Sequence, residues 1–275
     1  MKAIPVETPM TAGRSSLADL LGLLGCNLKE QHGAREAATG LAVGLRRVSA
    51  GQHLVHMGAP SVALYFVRTG TFKISRSDED GYEQVLAFAG RGEMLGYDAL
   101  CANEHPTNAV ALEDSTVFVV SRSDLAAFGR QVPLFDRELH RAASHALARN
   151  NDLVDVMAAV SSEVRLARFL LQLSRQMAAN GQSPRRFILR MGRRDLASLL
   201  GVAHETVSRS FTTLSMARLL HVQDRDVEIL DLEALQTYSR CTRKPPEDAA
   251  ASGPSRHGLS RNGARATHGL HLLQA

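Results

Sequence analysis

Glu205, Ser208 and Arg209 stand at i, i+3 and i+4, a spacing that places all three on one face of a helix. Their chemistry suits the edges of base pairs. Arginine can bridge guanine O6 and N7, glutamate can accept from cytosine N4, and serine can serve a base or a phosphate. Thr206, near the start of the same helix, could share a phosphate with the helix N-terminus. The plainer reading of such a face is a solvated surface closed by an ion pair between Glu205 and Arg209. The surroundings favour the first. Between Arg185 and Arg218 there are seven arginines (185, 186, 190, 193, 194, 209 and 218) against two acids, Asp195 and Glu205, the local excess that a phosphate-facing surface needs. Arg193, Arg194, Arg218 and Thr206 are the candidate phosphate contacts, and double-stranded DNA is the expected partner.

Elements that could carry these residues follow from the apolar pattern. Leu196, Leu199, Leu200 and Val202 precede the triad, and Val207, Phe211 and Leu214 lie within its helix. Together they predict helices at 193–200 and 205–219 that share one core, with Gly201 at the sharp turn between them. A hairpin at 220–230, turning at Asp224-Arg225-Asp226, would make a wing, a short strand is expected at 185–190, and a helix at 161–179 stops at Asn180-Gly181. Upstream, Leu139, Ala143, Ala146, Asn150, Leu153, Met157 and Val160 alternate four and three residues apart. That is the seam of a coiled coil, read as a homodimer interface in which Asn150 fixes register and the alanines allow close approach.

From about Leu41 to Val120 the texture changes to short β-rich runs (52–56, 63–67, 71–75, 83–88 and 115–120) separated by glycines, which predicts a sandwich or barrel-like roll. The chain of 275 residues, 44% hydrophobic and 22% charged, can bury two cores. Its apolar runs fall far short of the roughly 20 residues that cross a bilayer, and Glu7 and Thr8 break any leader-like stretch, so the expected location is the cytoplasm with no membrane partner. Expected units are an extension at 1–40, the roll at 41–132, the dimerisation helix at 133–160, the DNA-binding domain at 161–240 and a disordered tail at 241–275. The three cysteines, Cys26, Cys101 and Cys241, have no metal-site spacing. His53 and His56 are three apart on an expected strand and should point to opposite faces. His140 and His145 likewise do not converge on a helix.

The residues resemble the Crp/Fnr family of bacterial regulators, nearest to its Fnr branch, over about Gly51 to Leu235. The likeness rests on Glu83-Gln84, Gly96-Tyr-Asp-Ala-Leu, Ala111-Leu-Glu, Arg165-Leu-Ala-Arg-Phe, Leu173-Ser-Arg, Ser183-Pro-Arg-Arg-Phe and Glu205-x-x-Ser-Arg. It implies an α+β fold: an N-terminal double-stranded β-helix (jelly-roll-like) sensory domain, a long dimerisation helix and a C-terminal winged helix-turn-helix. It also implies a non-enzymatic regulator that binds a palindromic operator with TTGAT-like half-sites read by Glu205, Ser208 and Arg209. The loop Asp78-Glu79-Asp80, otherwise a solvated hairpin tip, takes by resemblance the position that touches RNA polymerase.

Departures from the family bear on what the roll senses. An iron-sulfur cluster needs about four thiolates. Here only Cys26 lies N-terminal and Phe118 occupies the place of the roll cysteine, so no cluster is expected. The cyclic-nucleotide branch uses Gly-Glu and Arg-Ser/Thr-Ala. This chain has Gly96-Tyr97 and His105-Pro-Thr-Asn, so cyclic AMP is not expected and no cofactor is predicted. A haem or other small-molecule sensor of the same fold is the alternative, with a cupin-type metalloenzyme on His53, His56 and His105 behind it. Arg218 replaces a glycine usual before the wing and should strain that turn or add a phosphate contact.

Overall fold

A computed structural model describes residues 13–28 and 32–240; the expected tail at 241–275 and Cys241 lie outside them. The roll is built from β1 (Gly13–Ser16), β2 (Ala42–Val48), β3 (His53–Val55), β4 (Ala63–Thr69), β5 (Phe72–Ser77), β6 (Glu83–Ala89), β7 (Met94–Leu95), β8 (Asn108–Ala111) and β9 (Ser115–Ser121). Two sheets face each other, one ordered β1-β2-β9-β4-β7 and the other β3-β8-β5-β6. Pairs in both are antiparallel. The strand β1 pairs with β2 from Gly13 against Leu45 to Ser16 against Ala42, so part of the expected N-terminal extension is an edge of the roll.

The helices α1 (Leu17–Leu23), α2 (His32–Gly40), α3 (Arg122–Gln131) and α4 (Pro133–Met157) flank the roll. Successive side chains of β4 and β9 serve two cores. Tyr65, Val67, Val117 and Val119 fill the space between the sheets, whereas Leu64, Phe66, Phe118 and Val120 pack under α1, α3 and α4 with Leu20, Phe128 and Phe135. Burial on both faces explains why these two strands read as continuous apolar runs rather than alternating ones.

The second half comprises α5 (Ser162–Ala179), β10 (Arg186–Ile188), α6 (Arg193–Leu200), α7 (His204–Met216), β11 (Leu220–Gln223), β12 (Asp226–Ile229) and α8 (Leu232–Ser239). The three strands form a small sheet ordered β10-β12-β11. Leu166, Leu170, Leu196, Leu199, Val207, Phe211, Leu214, Val227 and Leu235 share its core. The whole is the expected α+β arrangement, a two-sheet roll, a long helix and a helix-turn-helix with a hairpin wing, in the expected order.

Two expectations change. His53 and His56 do not diverge: β3 ends at Val55 and the rings stack with centroids 4.0 Å apart, because the backbone leaves the pleat before His56. The seam expected on α4 is divided. Ala143 is 5% exposed within its own roll core, and Leu139 and Leu153 are half-buried against their own protomer. The apolar residues left uncovered are Leu147 at 59% and Val154 at 68%, one heptad apart. They lie on a line with His140, Ser144, Asn151 and Ala158, all exposed. Asn150 is exposed beside that line, Ala146 is half-buried, Met157 is exposed as the last residue of the helix and Val160 is exposed past it.

Candidate nucleic-acid interface

The two helices of the motif are fixed by local chemistry. Asp195 closes the start of α6 by accepting from the Gly192 amide at 3.0 Å. Gly201 ends it in the left-handed region, φ 62°, the conformation that favours glycine, and Met157 Cε lies 3.0 Å from where a Cβ would stand. Arg165 of α5 donates to the carbonyls of Ala159 and Leu200, each at 2.8 Å. The turn is therefore tied to the segment leaving α4.

On α7 the buried side is Val207, Ser210, Phe211 and Leu214. The opposite side carries Glu205, Ser208 and Arg209, all exposed, with the Glu205 side chain 77% accessible. No ion pair joins Glu205 to Arg209. Glu205 instead lies 3.9 Å from His204 Nδ1, and Arg209 Nη2 lies 3.5 Å from Thr206 Oγ1, too long for a strong bond. Neither the acid nor the base is consumed internally, and the three side chains project from one surface.

The arginine excess is only partly available to a ligand. Arg186 is paired with Asp226 at 2.7 Å and Arg190 with Glu113 at 3.2 Å. Arg193 stacks its guanidinium 3.5 Å above the Phe211 ring and donates to the Asp224 carbonyl at 3.1 Å. Burial pulls Arg193 below the usual arginine value, Asp224 offsetting part of the effect, and in this state its side chain clamps α6 onto α7. Arg194, Arg209 and Arg218 remain exposed, with Thr206 half-buried. The stacking of Arg193 has no signal in the sequence spacing, since Phe211 reads simply as core. Arg165 stands out only as part of a family-like motif.

Asp78, Glu79 and Asp80 form the exposed tip of the β5–β6 hairpin, closed by the Gly81 amide donating to the Asp78 carbonyl at 3.0 Å. In the roll, His105 is 2% exposed and its ring abuts Gly96, where a Cβ would meet Cε1 at 3.2 Å. Burial lowers its pKa, Asp98 acting in the opposite sense. Cys26 and Cys101 are free thiols, and burial together with Glu138 pushes Cys26 up to about 11, the opposite of a reactive thiolate. Among the described residues no three His, Cys, Asp or Glu side chains gather as metal ligands, and no helix is long and apolar enough to cross a membrane.

Two family models match the chain. Residues 45–131 match a cyclic nucleotide-binding domain and residues 164–238 a Crp-like helix-turn-helix domain. The transcriptional regulatory protein btr of Bordetella pertussis is 36% identical over 190 residues, 69% of this chain and 78% of that one. The fumarate and nitrate reduction regulatory protein of Escherichia coli is 32% identical over 196 residues, 71% and 78% of the two chains. Among solved structures, FixK2 from Bradyrhizobium japonicum superposes with a TM-score of 0.65 at 25% identity, over 73% of this chain and 99% of that one. A CRP/FNR-family regulator from Thermus thermophilus shares the fold with a TM-score of 0.58 at 21% identity, over 72% and 100%.

Proposed function

Because the chain belongs to the Crp/Fnr family of DNA-binding transcription regulators, we propose that it binds a palindromic operator with TTGAT-like half-sites as a homodimer in the cytoplasm. The observation that carries this is the exposed, outward-facing set Glu205, Ser208 and Arg209 on α7, whose polar side-chain contacts within the chain are all long, 3.4–3.9 Å. A helix of 13 residues with one polar face can lie in the major groove, and two copies related by a two-fold axis read half-sites about 34–36 Å apart. Arg194, Arg218 and Thr206 supply phosphate contacts at its edges, and Arg193 joins them if a phosphate draws it from the Phe211 ring.

The uncovered line Leu147, Asn151 and Val154 is the seam we assign to the dimer, with the polar Asn151 taking the register role read from Asn150. The tip Asp78-Glu79-Asp80 is assigned to RNA polymerase. The roll is proposed to act without an iron-sulfur cluster and without cyclic AMP, since three cysteines fall short of the about four thiolates a cluster needs and His105 occupies the space beside Gly96.

The test is titration of operator and random duplexes with wild type and Arg209→Ala at one salt concentration. Loss of a bidentate base contact should cost about 1–3 kcal/mol on the operator and relax one base position. An equal loss on random DNA would remove Arg209 from base reading.

A further inference from the structure

We infer that strand β6 of the roll is the platform that fixes the recognition helix in space, with Lys73, Gln84 and Ser198 as positioning residues for operator reading. The inference rests on the function proposed above. β6 is the free edge of its sheet, and an edge strand offers unpaired amides and carbonyls to whatever approaches. Here α6 takes them. The Val85 amide donates to Ser198 Oγ at 2.8 Å, Ser198 Oγ donates to the Glu83 carbonyl at 3.1 Å, and Gln84 Nε2 donates to the Ser198 carbonyl at 2.6 Å. Lys73 of β5 reaches Glu83 at 2.8 Å and Asp195 at 3.2 Å, so the residue that closes the start of α6 is also tied to the roll. Apolar contacts follow the same strand: Val85 is buried in the core of the DNA-binding half, and Phe88 meets Phe169 of α5 edge-on at 6.3 Å.

The helix α6 is thus held at both ends, by the roll through Lys73 and Ser198 and by the α4 exit through Arg165. It is in turn fixed to α7 by Leu196, Leu199 and the stacked Arg193. The core that folds α5 to α8 uses none of Lys73, Gln84 or the Ser198 hydroxyl, so what these groups restrain is the rigid-body position of the motif. A dimer needs that restraint to present two recognition faces at one fixed separation. The second half-site then binds as an intramolecular event, whose gain vanishes when the geometry is loose. The latch leaves Glu205, Ser208 and Arg209 uncovered, so it holds a reading-competent position.

The test uses the full chain and three duplexes: a palindromic operator, the same half-sites moved apart by two base pairs, and a single half-site. Wild type should favour the proper spacing by about 100-fold, and Lys73→Met/Ser198→Ala should lose about tenfold there while keeping half-site affinity within about twofold, so that spacing preference narrows. Lys73→Arg, which keeps the charge, should restore the preference, and Gln84→Ala, on a partly exposed side chain, gives a second loosened variant if the double substitution does not fold. Unchanged spacing preference in the loosened variants, or operator and half-site affinity falling together, overturns the inference. A wild-type chain that does not prefer operator to random DNA overturns the operator reading itself, and this inference with it.

Discussion

At Arg218 the backbone holds an L-residue at φ 57°, just past the end of α7, with its amide donating to the Ser215 carbonyl at 2.9 Å. The left-handed region costs a residue with a Cβ about 1–2 kcal/mol, and replacing it by glycine returns most of that less about 0.4–1 kcal/mol of unfolded-state entropy. Arg218→Gly should therefore raise stability by about 0.5 kcal/mol in denaturant unfolding. If the guanidinium binds a phosphate, the same variant should weaken binding to all sequences alike and reduce the salt slope by about one. Greater stability with an unchanged slope would leave the strain real and the phosphate contact absent. This strain is legible only through the family resemblance, which sets a glycine at that turn and leaves strain or a phosphate contact as the two readings of Arg218. The stacking of Arg193 on Phe211 is not legible, because nothing in a linear pattern says which cation covers which ring.

At the scale of the element, α4 shows what periodicity does and does not carry. The stripe through Leu139, Ala143 and Leu153 is a true helical stripe, but it faces the chain's own roll and DNA-binding half. A helix between two bodies has two apolar lines, and sequence alone cannot say which is covered within the protomer. The uncovered line predicts that Leu147→Glu or Val154→Glu converts a dimer to monomers in sedimentation, with the thermal midpoint of the monomer little changed, since both side chains are exposed. Ala143→Glu should instead unfold the roll, placing a charge in a closed core. Persistence of the dimer in Leu147→Glu/Val154→Glu would move the interface elsewhere. The helix-turn-helix was legible because Gly201 and its flanking leucines obey local rules. The strands β1, β2, β7 and β8 and the helices α2, α3 and α8 are not anticipated from the sequence: β2, Ala-Val-Gly-Leu-Arg-Arg-Val, alternates poorly. For α8 a signal existed in Asp231, whose carboxylate accepts from the Ala234 amide at 2.9 Å, the cap that marks a helix start.

Across the whole molecule, the roll, α4 and the DNA-binding half meet at Glu93, a contact between residues so far apart in sequence that no pattern announces it. Its carboxylate pairs with Arg149 of α4 and accepts from Gln176 of α5 at 2.7 Å and from the Gly90 amide at 2.8 Å. Burial pushes its pKa above the ordinary glutamate value, Arg149 and the Gly90 amide recovering only part of the shift. A carboxyl raised in the folded state holds its proton more tightly there than in the unfolded chain. Its ionisation therefore costs stability as pH rises past the unfolded value of about 4.3, and acidification returns it. Glu93→Gln removes that titration and keeps an oxygen for Gln176. The stability of wild type minus that of Glu93→Gln should thus be lowest near pH 7 and rise as pH falls toward 4.5, read from unfolding midpoints of both proteins in the same buffers. Every other titrating group is common to the two and cancels, including Glu83, which Lys73 and Ser75 hold low against burial and whose contribution fades in acid. A difference that falls on acidification would mean that Arg149 outweighs burial, making the junction a net ionic clamp rather than a buried acid retained for its geometry.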